Sequence, residues 1–414
     1  FSGTDMDVPA TRRERPPGGK RSWLHGRVIA PFRPERGHLD VLTGLRGWAA
    51  LWVFIYHVWS YAKHPPIVFK GLGVSVDFTP FLSIGFAGVT IFFVLSGFLL
   101  AIPFAQWQAG QRGRPRLDHY FLRRVMRVFP AYYAQLTILL LLAWWGAEQY
   151  RIEDAGRLLR HLCMLFVPQP IGTTPINGVW WTLPIEFSFY MALPFLAVLL
   201  RPGRWWLLLI LSLGVMVMWR HVVLLFIGDA PIPERVIASY QLPGTMDAFG
   251  SGMLASFLYV HRSRAPAWLL PGSRMELLGG LGLVLLIAAI YWLPMKRHEY
   301  WSDHLIFYVW TPAVSLAVAT LIVAGSAGSR VVNFLFSNRF MIFAGLVSYS
   351  LYLWHLPILD GLMRMPALQS LHDGRILPLF LVATPVVILI SAVSYVLVEV
   401  PGMKFRRTTR HGPG

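Results

Sequence analysis

The stretch LDVLTGLRGWAALWVFIYHVWSY, from Leu39 to Tyr61, is an apolar run of the length that a bilayer-spanning helix needs. It nevertheless contains two ionisable residues, Arg46 and His57. Their spacing of eleven residues is about three helical turns, so both side chains leave one face, with a rise of ~16 Å between them. Ionisable residues inside a membrane are costly and usually functional. The alternative is an arginine that snorkels to the surface and a histidine that bonds a neighbouring helix.

The composition places the whole chain in the same class. Of its 414 residues 55% are hydrophobic and only 14% are charged, and the mean hydropathy is +0.53. That excludes a water-soluble globule and predicts a polytopic membrane protein. The net charge of +17 does not predict nucleic-acid binding, because the basic residues lie between apolar runs rather than on one face. A single cysteine, Cys163, excludes an internal disulfide and a cysteine metal cluster.

Hydropathy predicts an all-α integral membrane protein, a bundle of about ten transmembrane helices. Most of the 37 Lys and Arg residues fall in the two tails and in alternate connections, which predicts that both termini are cytoplasmic. The apolar segments lie at roughly 41–61, 80–102, 128–146, 179–200, 205–227, 238–260, 275–294, 304–325, 340–360 and 376–400.

Three regions follow from this pattern. Residues 1–37 are rich in Pro, Gly and Arg and are predicted to be a disordered basic cytoplasmic tail. Residues 38–403 form the transmembrane domain, and residues 404–414 a short basic cytoplasmic tail. Between the third and fourth segments, Ile152 to Phe166 has apolar residues at helical spacing beside charges, which predicts an amphipathic helix on the outer surface.

Five stretches in the chain together resemble one family. The first is the opening helix with its arginine and histidine, and the others are GFAGVTIFFVLSGFLL (Gly85 to Leu100), FLRRVMRVFPAYY (Phe121 to Tyr133), VSYSLYLWHLPIL (Val347 to Leu359) and the closing VLVEVPGMKFRR. Their content and order resemble acyltransferase family 3, a family of membrane-bound O-acyltransferases, over roughly residues 38–407. Each motif is weak alone, and five in family order are specific.

The resemblance implies transfer of an acyl group, usually acetyl, from acetyl-CoA to a hydroxyl. The acceptor is typically an extracytoplasmic carbohydrate or glycolipid, or a small molecule such as a macrolide. It also implies a multi-pass protein of the bacterial cytoplasmic membrane that uses acyl-CoA as co-substrate, without a tightly bound cofactor. The sequence has no metal-ligand spacing, so no metal site is predicted. Two alternatives stay open: a transporter or flippase for a polar lipid or sugar, and a scaffolding membrane protein without turnover.

The predicted catalytic residues are His57 and Glu186. Helices one and four run in opposite directions, and both residues lie about one turn below the predicted outer ends, which places them at one depth. A carboxylate there would orient the imidazole, and His57 would act as general base or carry the acyl group transiently. The family often has a second Glu and a Gln here, where this chain has Phe187 and Ser188, so Glu186 is the only acid of this segment.

The predicted donor site consists of arginines. Arg124 and Arg127 are an i, i+3 pair that can clamp a phosphate of CoA, with Arg123 beside them and Arg46 on the opening helix. The alternative for these arginines is anchoring at the membrane surface, which we favour for Arg123.

Aromatic and histidine side chains mark the predicted acceptor side. His355 and Tyr352 on the ninth segment, and Trp180 and Trp181 at the start of the fourth, are predicted to lie near the outer surface. Aromatic rings stack on sugars, but for the tryptophans the favoured alternative is an interfacial belt. Ser96 is predicted to assist helix packing beside Gly97 rather than act as a nucleophile.

Overall fold

The computed structural model describes residues 40–71, 73–166, 173–262, 272–296, 299–301, 304–369 and 375–403. The two predicted tails, 1–37 and 404–414, lie outside the described residues. Nearly all of the described chain is helical, as the sequence predicted. In this part of the chain the strands are β1 (Val68–Gly71) and β2 (Val74–Asp77), which pair as an antiparallel hairpin.

The helices are numbered along the chain. They are α1 (Asp40–Tyr61), α2 (Thr79–Ser83), α3 (Ala87–Gln108), α4 (Leu117–Trp144), α5 (Ala155–Leu162), α6 (Thr182–Leu196), α7 (Trp205–Ile227), α8 (Ile232–Ser239), α9 (Met246–His261), α10 (Gly272–Met295), α11 (Leu305–Ser326), α12 (Arg330–Phe336), α13 (Arg339–Leu346), α14 (Ser348–Met363), α15 (Pro366–Gln369) and α16 (Ile376–Ser394).

Eight helices in the described chain are long and apolar enough to cross a membrane, and a ninth span results if α13 and α14 count as one span bent by 73°. The predicted count of ten is therefore not confirmed. The difference lies in the sixth predicted segment, 238–260. There Pro231, Pro233 and Pro243 divide the chain into α8, a 3₁₀ turn and α9. The 16 residues of α9 rise only ~24 Å, less than the hydrocarbon thickness.

Helix α1 lies at the centre of the fold and packs against α3, α13 and α14. Leu45, Ala49 and Val58 on this helix have no exposed surface. Close approach requires glycine at Gly44, where a Cβ atom would lie 1.5 Å from the carbonyl oxygen of Phe336.

The connection before α6 folds into the bundle. The predicted amphipathic helix of this connection is α5, which begins after Asp154, whose carboxylate accepts a 2.7 Å hydrogen bond from the Arg157 backbone N–H. Further along, the Asn177 side chain donates to the Leu353 carbonyl oxygen (2.9 Å). The indole of Trp180 is fully buried and donates to Gln135 Oε1 (2.8 Å). Helix α6 therefore begins inside the bundle, level with the middle of α14.

Candidate active site

Two histidines meet at the interface of α1 and α14. Nδ1 of His57 lies 3.2 Å from Nε2 of His355. The His355 side chain is fully buried and that of His57 is partly buried. Each Nδ1 also lies near the carbonyl oxygen four residues earlier on its own helix, Val53 for His57 (2.9 Å) and Leu351 for His355 (3.1 Å).

These contacts fix the tautomer of the neutral pair. A carbonyl oxygen only accepts hydrogen bonds, so both Nδ1 atoms must carry a proton. Nε2 of His355 is then a bare acceptor that receives a shared hydrogen bond from Nδ1–H of His57. The proton-free nitrogen of His57 is therefore Nε2, which has no hydrogen-bond partner within the described residues. An imidazole with an oriented ring and a free Nε2 lone pair is the arrangement of a general base or nucleophile.

Glu186 does not orient His57, contrary to the prediction. In the described chain its carboxylate accepts a 2.6 Å hydrogen bond from Ser96 Oγ, and no hydrogen bond or ion pair joins it to His57. Helix α3 runs antiparallel to α1 with Gly85 facing Tyr56, so Ser96 lies ~16 Å along the axis from the level of His57. The prediction failed because it placed the start of α6 at the membrane surface, whereas the chain enters the bundle before α6 begins.

Arg127 is held by a buried ion pair. Its guanidinium donates to Glu399 Oε2 (2.7 Å), and the Glu399 side chain is only 1% exposed. The other oxygen of Glu399 accepts from the backbone N–H and the hydroxyl of Ser350 (3.1 and 2.6 Å). One turn of π-helix, Tyr395–Glu399, continues α16 at this point. Such turns change the direction in which side chains leave a helix. The ion pair joins the stretch from Phe121 to Tyr133 to the closing stretch of the chain.

Arg46 and Arg124 are the less constrained cations of this region. Within the described chain Arg46 makes no hydrogen bond or ion pair, although Glu186, Glu399 and Arg127 contribute to its electrostatic environment. The Arg124 guanidinium lies 5.9 Å from the ring centre of Tyr190, and its buried Nε has no hydrogen-bond partner in the same residues.

Helix α4 explains this arrangement of arginines. It begins at Leu117, eleven residues before the predicted segment, so the arginines lie within the helix rather than at its mouth. Arg123 leaves the helix about 100° from Arg124 and thus faces a different direction. Its predicted part in donor binding stays a prediction.

The family model for the acyltransferase domain matches residues 39–399, nearly the whole described chain. The chain belongs to this family, acyltransferase family 3. Nodulation protein 10 of Rhizobium leguminosarum bv. viciae is 24% identical over 89% of this chain and 95% of the relative. Peptidoglycan O-acetyltransferase OatA of Listeria monocytogenes is 24% identical over 89% of this chain and 56% of the relative. Acyltransferase MdmB of Streptomyces mycarofaciens is 29% identical over 42% of this chain and 44% of the relative. No solved structure matches the chain.

Of the four residues predicted on the acceptor side of this acyltransferase, two lie at the histidine pair. His355 contacts His57 directly, and the Tyr352 ring lies 5.9 Å from that of His355. The Tyr352 hydroxyl is engaged with Thr182 Oγ1 (2.9 Å). The interfacial-belt alternative is wrong for Trp180, whose indole is wholly inside the bundle. Trp181 is partly buried and packs edge-on against the Tyr240 ring at 5.7 Å.

Two carboxylates of the acyltransferase were not recognised as site residues from the sequence. Glu399 pairs with Arg127, and Asp360 follows His355 by five residues on α14 and contacts Tyr61. Both carboxylates lie in or beside apolar segments, where an acid is costly and therefore informative. That signal was present in the sequence, but the partners of the two acids are far away along the chain.

Proposed function

We propose that this protein is an O-acyltransferase of the bacterial cytoplasmic membrane that uses cytoplasmic acyl-CoA as donor. The transferred group is acetyl, and the acceptor is a hydroxyl of an extracytoplasmic glycan, glycolipid or small molecule. The observation that carries the proposal is the histidine pair, which leaves Nε2 of His57 free beside an imidazole that cannot donate to it. The printed name of the Listeria relative, peptidoglycan O-acetyltransferase, supports acetyl as the transferred group and a glycan hydroxyl as the acceptor.

In the proposed reaction His57 acts as general base. Its Nε2 takes the proton of the acceptor hydroxyl as the oxygen attacks the thioester carbonyl. The C–S bond of the tetrahedral intermediate then breaks, and the CoA sulfur leaves with the proton that His57 received, so the reaction needs no further proton source. His355 is a positioning residue, because its Nε2 holds Nδ1–H of His57 and strengthens that hydrogen bond when the ring becomes an imidazolium. The sequence predicted this positioning role for Glu186.

The donor would enter from the other end of α1. Arg46 lies about three turns from His57 toward Asp40, and Arg124 is the second cation of this region whose buried Nε has no hydrogen-bond partner among the described residues. Phosphate groups of CoA would bind these two guanidinium groups, and the pantetheine arm would extend along α1 toward His57. Arg127 is already paired with Glu399, so we assign it a structural role rather than a direct donor contact.

The decisive experiment gives the purified protein [¹⁴C]acetyl-CoA, with and without hydroxyl acceptors, and measures CoA release and labelled product. We expect slow CoA release alone and faster release with an accepted hydroxyl. His221→Ala is the control for the His57→Ala variant, because His221 is exposed and distant in sequence from the histidine pair. Transport of a polar lipid across vesicles without any CoA release would favour the transporter alternative and contradict acyl transfer.

Removing the donor-site charges should weaken donor binding selectively. The Arg46→Gln and Arg124→Gln variants are expected to raise the apparent KM for acetyl-CoA by roughly 10-fold each, since a charge-assisted hydrogen bond contributes about 1.5–3 kcal/mol. The KM for the acceptor should change much less. Arg339→Gln is the matched control, an exposed arginine at the start of α13. Equal changes in both KM values would contradict a donor role.

A further inference from the structure

A second polar pair lies next to the histidine pair on the same two helices. Tyr61 follows His57 by four residues and Asp360 follows His355 by five, and the Tyr61 hydroxyl donates to Asp360 Oδ1. Helices α1 and α14 therefore run parallel here, and the two pairs form successive levels about 6 Å apart. This second level lies at the end of α1 opposite to Arg46 and Arg124, the proposed donor residues.

The second level leads to the surface of the protein. The Tyr150 hydroxyl lies 3.4 Å from Asp360 Oδ2, and the side chain of the preceding residue, Gln149, contributes to the electrostatic environment of that hydroxyl. Burial, with the Asp360 carboxylate nearby, raises the pKa of Tyr150 to about 12, so its hydroxyl stays protonated and donates. Gln149 in turn lines an open groove of about 500 Å³, whose walls are Glu148, Gln149, Arg151, Ile152, Glu153 and Arg157.

The groove has the volume of a small-molecule site and a polar, charged wall. Pockets for small molecules commonly measure about 300–1,000 Å³. Its walls are mostly polar and combine two glutamates with two arginines, so their formal charges cancel. An uncharged polar ligand suits such walls better than an anion or an apolar alcohol. Gln149 Oε1, an atom buried in this structure, is an acceptor without a hydrogen-bond partner among the described residues, which is unusual for a buried polar group.

The Asp360 carboxylate has spare acceptor capacity. A carboxylate has about four lone-pair sites, and the two tyrosine hydroxyls occupy one on each oxygen. The remaining sites can accept hydrogen bonds from hydroxyl groups of a ligand. The separation of one helical turn between Asp360 and the histidine pair is a distance that one pyranose ring can bridge. A polyol can present one hydroxyl to Asp360 and another to the histidine pair.

We propose that Asp360 is a specificity-determining residue that binds a non-reacting hydroxyl of an uncharged carbohydrate acceptor, while the reacting hydroxyl of the same sugar lies at His57 Nε2. The groove beside Gln149 would hold the rest of the saccharide. This inference rests on the proposed acyl transfer and adds to it the residue that selects the acceptor. Tyr61 fixes the orientation of the carboxylate by its hydrogen bond to Oδ1.

The test compares the Asp360→Asn and Tyr61→Phe variants with the wild type on [¹⁴C]acetyl-CoA. The acceptors are methyl glucoside, methyl galactoside and methyl N-acetylglucosaminide, with 2-methoxyethanol as a hydroxyl compound that lacks a second hydroxyl. For Asp360→Asn we expect the KM of the accepted glycoside to rise by about 10-fold, with the reaction of 2-methoxyethanol and acceptor-free CoA release unchanged. Tyr61→Phe should cause a smaller rise in the same KM.

Two controls separate this inference from the proposed function. Asp229→Asn removes an exposed carboxylate between α7 and α8 and should leave every rate unchanged. Wild-type protein that releases CoA yet acylates no glycoside would overturn the carbohydrate class while leaving acyl transfer intact. An Asp360→Asn variant that slows 2-methoxyethanol and glycosides equally, or loses acceptor-free CoA release, would show a structural role for Asp360 and overturn the specificity role. Absence of CoA release from the wild type would instead contradict the proposed function itself.

Discussion

Replacing His57 by Ala is expected to lower the rate of acyl transfer by roughly 10²–10⁴-fold, the usual contribution of a positioned general base. Because Nε2 of His57 has no structural hydrogen bond in the described chain, the loss of activity should fall on kcat rather than on donor KM. The variant also leaves the buried Nε2 of His355 without its donor, so a drop in stability of about 1–3 kcal/mol is expected beside the loss in kcat. The measurement is product formation from [¹⁴C]acetyl-CoA with the accepted glycoside, alongside thermal unfolding in detergent. A His57→Ala variant with near wild-type turnover would contradict the proposed mechanism.

The same prediction extends to His355, which acts through His57. A His355→Leu variant cannot accept the hydrogen bond from His57 Nδ1–H and should lose roughly 10–100-fold in kcat, the equivalent of one hydrogen bond of about 1.5–3 kcal/mol to a charged group. His355→Gln keeps an acceptor oxygen on the side chain and should recover part of that loss. The His57→Ala/His355→Leu double variant should be no slower than His57→Ala alone, because the two residues act as a unit.

The second large effect is expected at the ion pair between Arg127 and Glu399. Removing one partner of a buried pair leaves the other charge uncompensated, which typically costs about 3–5 kcal/mol. Both Arg127→Met and Glu399→Met should therefore lower the thermal midpoint in detergent strongly. The Arg127→Met/Glu399→Met double variant should recover much of the loss, because it leaves no buried charge of this pair, although Ser350 loses its acceptor. Thermal unfolding of the three variants measures this directly.

Arg124 provides the matched control for that experiment. It lies one helical turn before Arg127 on α4 but forms no ion pair in the described chain, so Arg124→Met should leave the thermal midpoint nearly unchanged. Its effect should be seen in the KM for acetyl-CoA instead. If Arg127→Met instead raised the donor KM at unchanged stability, the original prediction of Arg127 as a donor ligand would be supported, and our structural assignment would be wrong.

A feature of this protein could be predicted from the sequence where it depends on contacts between residues close together in the chain. The helix α1, with Arg46 and His57 on one face, could be predicted because a periodicity of 3.6 residues is a property of the chain itself. The membrane class follows equally from composition. Glu186 shows the limit: its depth depends on where the preceding connection runs, and Trp180 and Asn177 draw that connection into the bundle through partners far away along the chain.

The sequence by itself determined that this is a helical membrane protein of acyltransferase family 3, with an arginine and a histidine on one face of its first described helix. Only the tertiary structure decided their partners. It placed His355 rather than Glu186 against His57, joined Arg127 to Glu399, and set Asp360 beside Tyr61. The physical reason is that apolar side chains and helix periodicity act within one segment, whereas the pairing of buried polar groups depends on which helices pack side by side.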